Sequence, residues 1–272
     1  MIFNRKWYVL LYFLSKVFML STPTMYGQKI INAPSHKISE CIIKNAQNLI
    51  GKRYQPGTLE SDGLETLKCS DDTFDCFTFI EYVLALTYSH KDELEFKIFL
   101  TKLRYRDGII HGYGSRLHYF TEWILQNSAL GIVKDVTMEI GGVNYEKNIN
   151  YMSTHIRKYP RLEDSSDLFL VKDAEMRINS FPWKYIPKKD IKKKQHKIQS
   201  GDIIAITTNI AGLDVVHTGF AIKEKGDLFL LHASETAGKV VVSKKNLNEY
   251  VQSNTIQSGI IVLRCLGQSN DE

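Results

Sequence analysis

Three residues combine the types and the spacing that acyl-transfer chemistry needs. Cys76, in "FDCFTFIEYVLAL", stands directly after Asp75 at the head of an apolar run, and His217 and His232 stand much later, in "VVHTGFAIK" and "DLFLLHAS". A thiol attacks as its thiolate, and the partial positive charge and unpaired N–H groups of a helix N-terminus favour that form. A nearby imidazole would take the thiol proton and return it to a leaving amine, while a second imidazole would fix the first one's orientation and tautomer. On this reading Cys76 is the nucleophile, His217 the general base and acid, and His232 the orienting residue. The Cys76 backbone amide would help to hold a developing oxyanion. Taken singly, each residue also has an ordinary reading: a packed cysteine, or a half-buried histidine with its hydrogen bonds satisfied.

The two histidines are expected on one β-hairpin. A turn at Lys225-Gly226 pairs Glu224 with Asp227, and continuing the antiparallel ladder sets His217 opposite Ser234 and His232 opposite Gly219. Side chains alternate faces along a strand, so both imidazoles leave the same face as diagonal neighbours, roughly 7–8 Å apart at Cα. Val216, Phe220, Ile222, Phe229 and Leu231 are assigned to the opposite face as a core layer. Gly219 and Ala221 leave room beside the imidazoles.

Cys41, Cys69 and Cys265 lack this setting. Cys41 falls within a surface helix pattern, Cys69 in a polar loop and Cys265 in a terminal strand. A Cys69–Cys76 disulfide is compatible with the spacing and would silence the nucleophile; four cysteines are too few for a disulfide-built scaffold. One cysteine and two histidines also make a recognised zinc set, but no close-spaced motif such as H-E-x-x-H accompanies them. The expectation is catalysis without metal or cofactor.

The elements that must position these groups follow from periodicity. "SHKISECIIKNAQNLIGKRY" has Ile38, Ile42, Ala46, Leu49 and Ile50 near helical spacing, with Gly51 to end it. After a polar loop from Gln55 to about Asp72, the run behind Cys76 is apolar on nearly every side and belongs inside the domain, with Asp75 as its N-cap. "DELEFKIFLTKLRYRDG" and "SRLHYFTEWILQNSALG" read as further helices, and residues 136–197 as mixed strands and long loops. Beyond Gly201, "GDIIAIT", "VVHTGFAIK", "DLFLLHAS", "KVVVS" and "GIIVLRCL" read as strands, with "NLNEYVQ" a short helix. Helices first and strands later give an α+β fold class, with a central buried helix bearing Cys76 on a mainly antiparallel sheet.

The chain opens with Arg5 and Lys6, an apolar run from Trp7 to Leu20, and small or turn-forming residues near Gly27. That is the layout of a secretory signal peptide cleaved after Gly27, leaving residues 28–272 as a single domain exported to the periplasm or beyond. The run is shorter than the ~20 residues a membrane span needs, so no stable membrane insertion is expected after cleavage. The formal charge is +5, and loss of Arg5, Lys6 and Lys16 leaves +2 on the remainder, which calls for no nucleic acid. Lysines at 184, 188, 189, 192, 193, 194 and 197 read as a solvated loop. Oligomeric state is left open.

"FDCFTFIEYVLAL" followed by "GLDVVHTGFAI" and "LLHAS" resembles the NlpC/p60 superfamily of papain-like cell-wall cysteine peptidases and amidases. "LRYRDGIIHGYGSRLHYFTEWI" and "GDIIAITTNIAGLDVVHTGFA" resemble more narrowly a branch, long catalogued as a domain of unknown function, whose members act as N-acetylmuramoyl-L-alanine amidases. The resemblance runs from about Ile38 to Cys265. It implies a papain-like fold and hydrolysis of the amide between (1,6-anhydro)N-acetylmuramic acid and L-alanine in a peptidoglycan or muropeptide substrate, with Cys76, His217 and His232 in the roles above. Many superfamily members carry a G-x-x-Y turn shortly before the cysteine; here "GKRY" ends at Tyr54, with a longer loop between. Tyr54, Arg116, Tyr113 and Asp214 are the candidates for contacting substrate. The nearest alternatives are a γ-D-glutamyl-diamino-acid endopeptidase and a non-catalytic wall-binding domain.

Overall fold

The computed structural model describes residues 35–61, 63–89 and 92–267. The signal-peptide reading falls outside these residues. Among them, no helix is long and apolar enough to cross a membrane.

In chain order the elements are α1 (Ser35–Gln47), β1 (Arg53–Tyr54), β2 (Thr73–Phe74), α2 (Cys76–Tyr88), α3 (Glu93–Arg104), α4 (Phe120–Ala129), β3 (Val133–Asp135), α5 (Thr137–Ile140), β4 (Val143–Asn144), α6 (Tyr151–Thr154), α7 (Ser165–Ser180), β5 (Lys184–Pro187), α8 (Ile191–Lys194), β6 (Ile203–Thr208), β7 (Val215–Glu224), β8 (Asp227–Ser234), β9 (Lys239–Val242), α9 (Leu247–Gln252) and β10 (Gln257–Cys265), with short 3-10 turns between. The sheet order is β2-β1-β9-β8-β7-β6-β10-β5-β4, with β3 also on β10. Among the described residues the β1–β2 strand pair is parallel and the other strand pairs are antiparallel. This is the α+β arrangement expected from helices in the first half and strands in the second.

Helix α2 starts where the sequence says it should. Asp75 Oδ1 accepts from the backbone N–H of Phe77 at 3.0 Å and of Thr78 at 2.8 Å, and Thr78 Oγ1 accepts from the Asp75 N–H at 3.0 Å, a reciprocal capping box. Phe79, Ile80, Val83, Leu84 and Ala85 are fully buried, so the helix sits between the sheet and its neighbours α1 and α3. Glu81 in this helix is also buried, and Arg104 of α3 meets it at 2.7 Å. A buried carboxylate without such a partner would cost several kcal/mol.

The sheet has a core on each face. Phe220, Ile222, Leu231 and Ala233 join α1 and α2 on one side; Ile204, Ile206, Ala221, Leu230 and α9 residues Leu247 and Val251 pack on the other. The hairpin turns at Lys225 (φ 51) and Gly226 (φ 89), the left-handed pair of a two-residue turn, and Glu224 faces Asp227. The ladder ends, however, at Phe220–Leu231, so the expected pairings of His217 with Ser234 and of Gly219 with His232 do not form. β8 pairs from Leu231 onward with β9, and β7 below Phe220 with β6. The register of β6 on β7 also shifts between Ile206–His217 and Thr207–Val215. Val216 is the extra residue of this bulge and packs with the α9-side core, not with Phe220 as strict alternation requires.

Three other sequence expectations are corrected. α4 begins only at Phe120; Ser115 ends a short 3-10 turn and residues 116–119 are non-helical chain. Residues 136–197 are largely helical and contain the longest helix described, α7. Its buried stripe is Val171, Ala174, Glu175 and Ile178, at regular helical spacing, but a glutamate lies within the stripe while Phe169 and Met176 lie exposed outside it. Glu175 tolerates burial because Tyr119 Oη and the Ser153 N–H donate to it at 2.7 and 3.0 Å. The lysine-rich stretch is β5 and α8 rather than a solvated loop, with Ile191 fully buried. Its Lys194 and Lys197 donate to backbone carbonyls of Gly141 and Ile140.

Candidate active site

Cys76 opens α2 and is a partly buried free thiol; Cys41, Cys69 and Cys265 are also unbridged. The Cys69–Cys76 bridge left open by the spacing is absent. Thr218 of β7 fixes the cysteine to the sheet: its hydroxyl donates to the Cys76 carbonyl oxygen at 2.8 Å. Thr218 is buried and immediately follows His217, so one hydrogen bond ties the head of the central helix to the residue beside the expected base.

The two imidazoles meet as their shared face requires. Nε2 of His217 lies 2.6 Å from Nδ1 of His232, with the rings nearly perpendicular at 84° and their centroids 4.8 Å apart. One of these nitrogens must donate and the other accept. If His217 donates from Nε2, its Nδ1 is left bare to accept a proton, which is the tautomer a general base needs. Gly219 is obligatory here, because a Cβ would stand 2.7 Å from Leu230 and 2.9 Å from the His232 Cβ.

Burial sets the protonation states. The Cys76 thiol is pushed up to about 12 by burial, with the Asp75 carboxylate adding to it, against hydrogen bonds from the Thr218 backbone and hydroxyl that favour the thiolate. His217 is lowered to about 3 by burial and by His232, and His232 to about 4 by burial. The thiolate expected from the helix N-terminus is therefore not the resting form, since desolvation and Asp75 outweigh the hydrogen bonds. At rest the thiol and the two imidazoles are neutral. The donors do not make a metal cage either: among the described residues no group of three histidine, cysteine or acidic side chains could hold an ion.

The AmiA-like family, described as N-acetylmuramoyl-L-alanine amidase-like, matches residues 44–260. The chain belongs to this family. A crystal structure of an N-acetylmuramoyl-L-alanine amidase from Bacteroides uniformis is 39% identical, with a TM-score of 0.81, covering 85% of this chain and 99% of that one. A Bacteroides fragilis protein named only as a candidate xylanase is also 39% identical, with a TM-score of 0.77, covering 81% and 99%. The protein LPG0564 from Legionella pneumophila, at 22% identity and a TM-score of 0.65, shares the fold and covers 85% and 92%. Among curated proteins, none matches the chain.

In this amidase-like chain the four substrate-contact candidates divide. Tyr54 is brought to the thiol, because β1 and β2 pair in parallel and set Tyr54 beside Phe74, two residues before Cys76. The long loop thus leaves and returns to the same place. The Tyr54 phenol is raised to about 12 by burial and then by Cys76, Glu235 and Asp75. Arg116, by contrast, is buried and committed: Nε and Nη2 donate to Glu65 at 2.6 and 2.8 Å, Nη1 to Glu60 at 2.8 Å, and Nη2 also to the Leu59 carbonyl at 2.7 Å. It pins the loop. Tyr113 is buried, with the guanidinium groups of Arg116 and Arg161 each 4.9 Å from its ring centroid. Asp214 is buried and accepts from the Thr121 N–H and hydroxyl at 2.8 Å, joining α4 to the start of β7.

Two residues near these groups have no mark in the sequence. Thr218 points to the face opposite the histidines and reaches the Cys76 carbonyl. Tyr250 lies in the six-residue α9, stacked on His217 at 6.2 Å and 28° and edge-on to His232 at 5.4 Å and 82°. No local pattern marks it out.

Proposed function

We propose that the chain is a thiol amidase of the NlpC/p60, papain-like type that hydrolyses the amide between (1,6-anhydro)N-acetylmuramic acid and L-alanine in peptidoglycan fragments. The exported location follows from the N-terminal reading. The support for the chemistry is the single bond from Thr218 to the Cys76 carbonyl, which links the nucleophile's helix to the imidazole pair; the support for the bond cleaved is the family and the Bacteroides uniformis amidase.

On this reading the sulfur attacks the lactyl carbonyl carbon while the thiol proton passes to Nδ1 of His217. His217 then gives that proton to the alanine nitrogen as the C–N bond breaks, leaving a muramoyl thioester. Water, deprotonated by His217, attacks the thioester and restores the thiol. Holding a neutral pair at rest means that proton transfer accompanies attack instead of preceding it. Tyr54, beside the thiol, faces the reacting amide.

The xylanase name of one neighbour would call for two facing carboxyl groups. The reacting groups of the reading proposed here are a thiol and two imidazoles, and the acid next to that thiol, Asp75, is occupied as a helix cap.

Mass spectrometry of products from defined muropeptides, with wild type and Cys76→Ala, tests the reading. Free sugar plus an intact peptide, lost in the variant, is expected. Release of a dipeptide would reassign the chain as an endopeptidase, and products unchanged by the variant would remove the thiol from the mechanism. Iodoacetamide should inactivate slowly near neutral pH and faster in alkali, and a chelator should leave activity intact.

A further inference from the structure

We propose that the aromatic ring of Tyr250 is a positioning residue for the imidazole pair, closing a three-ring cluster with His217 and His232 from the α9 side of the sheet. The centroid separations are 4.8 Å between the imidazoles, 6.2 Å from Tyr250 to His217 and 5.4 Å from Tyr250 to His232. Tyr250 is near parallel to His217 and near perpendicular to His232, and so are the imidazoles to one another.

The need for such a ring comes from the strand geometry. The β7–β8 ladder stops at Phe220–Leu231, so below that point backbone hydrogen bonds no longer hold the two histidines in register. The imidazole–imidazole bond must then be held by what packs on it. α9 supplies the packing: Leu247 and Val251 are fully buried in the core on that face, and Tyr250 is carried with them over the open end of the hairpin. A flat ring restricts rotation of His217 about its terminal torsion, which is otherwise broad, and keeps Nε2 toward His232 and Nδ1 toward the reaction. The Tyr250 ring also excludes water. This agrees with the depression of both imidazoles by burial, and the phenol itself is raised to about 12 by burial and then by Cys76. The titratable groups that face His217 are thus His232 on β8 and Tyr250 on α9, and Cys76 at the head of α2 acts on the Tyr250 phenol.

The inference rests on Cys76 and His217 being the reacting groups, and the test separates the two. Wild type, Tyr250→Phe, Tyr250→Leu, Cys76→Ala and His217→Ala are compared for kcat, KM and the acid limb of kcat/KM on one defined muropeptide, with rates normalised to the concentration of folded protein. Tyr250→Leu should lower kcat on the order of 10-fold to 100-fold with little change in KM, and move the acid limb upward toward the ordinary imidazole range as water reaches His217. Tyr250→Phe should restore most of kcat. If Tyr250→Leu does not fold, Tyr250→Met, which fills the space without a flat ring, carries the same comparison. Wild-type kcat and an unmoved acid limb in the ring-less variant would overturn the inference, as would equal loss in Tyr250→Phe, which would assign the effect to the hydroxyl. Activity surviving in Cys76→Ala or His217→Ala would instead overturn the underlying reading.

Discussion

His217 and His232 share a 2.6 Å contact between Nε2 and Nδ1, although their strands are no longer hydrogen-bonded to one another at that level. On the proposed reading the contact makes the two imidazoles unequal: His217 keeps Nδ1 for proton transfer, whereas His232 acts through His217. His217→Ala should therefore remove the acid–base contribution, about 10²–10⁴ in kcat. His232→Ala should cost less, and His232→Asn, which offers an amide oxygen in place of Nδ1, should recover part of that loss. Equal kcat in His217→Ala and His232→Ala would contradict the assigned roles.

Thr218 carries the tether between helix and sheet. Thr218→Val keeps the shape and removes the hydroxyl, leaving the Cys76 carbonyl without its 2.8 Å donor. Stability should fall by about 0.5–1.5 kcal/mol, the usual net worth of one hydrogen bond, because the Cys76 carbonyl still accepts within α2, and kcat should fall further than stability explains. A urea midpoint and a kcat both at wild-type values would show the tether to be idle.

The neutral resting site has a spectroscopic consequence. With the thiol raised to about 12 and His217 lowered to about 3, ultraviolet thiolate absorbance should be missing near neutral pH and should rise only in strong alkali. A thiolate band persisting into acid would instead indicate a preformed ion pair.

The same depressed imidazoles bear on acid stability. An unfolded histidine binds a proton below its ordinary value of 6.5, while folded His232 stays neutral down to about 4. The unfolded state therefore takes up more protons, and stability is full above about 6.5 and declines as pH falls toward 4, by at most about 1.4 kcal/mol per pH unit for one imidazole. His232→Asn should flatten that decline in thermal melts. The comparison isolates the imidazole because buried Asp214 and Glu122, raised by burial, act in the opposite sense. An unchanged slope in the variant would place the acid sensitivity elsewhere.

Glu65 is the hub of the loop before α2. It is buried and accepts from Arg116 at 2.6 and 2.8 Å, from Arg161 at 2.9 Å and from Tyr105 Oη at 2.8 Å. Glu65→Ala leaves Arg116 buried with most of its charge compensation gone, a loss on the order of 3–5 kcal/mol. Limited proteolysis should then cut within residues 55–72 before any other site. Cleavage at wild-type rate in the variant would mean that the loop is held by other contacts.

What the sequence determined by itself was local. Alternation along "VVHTGFAIK" and "DLFLLHAS" put both imidazoles on one face, the Lys225-Gly226 turn set the pairing only from Glu224–Asp227 to Phe220–Leu231, and Asp75 marked the helix start that carries Cys76. Each of these depends on residues a few positions apart, where period and capping chemistry act directly. The glutamate in the buried stripe of α7 hid that helix, because its partners Tyr119 and Ser153 lie far away in the chain. Only the tertiary structure decided that β7 and β8 part below Phe220, that Thr218 reaches Cys76 and Tyr250 reaches the histidines, and that Arg116 is spent on Glu65 and Glu60. Those outcomes depend on how separate elements dock. So does the protonation of the thiol, which the helix N-terminus alone would lower and which burial between α2 and the sheet raises.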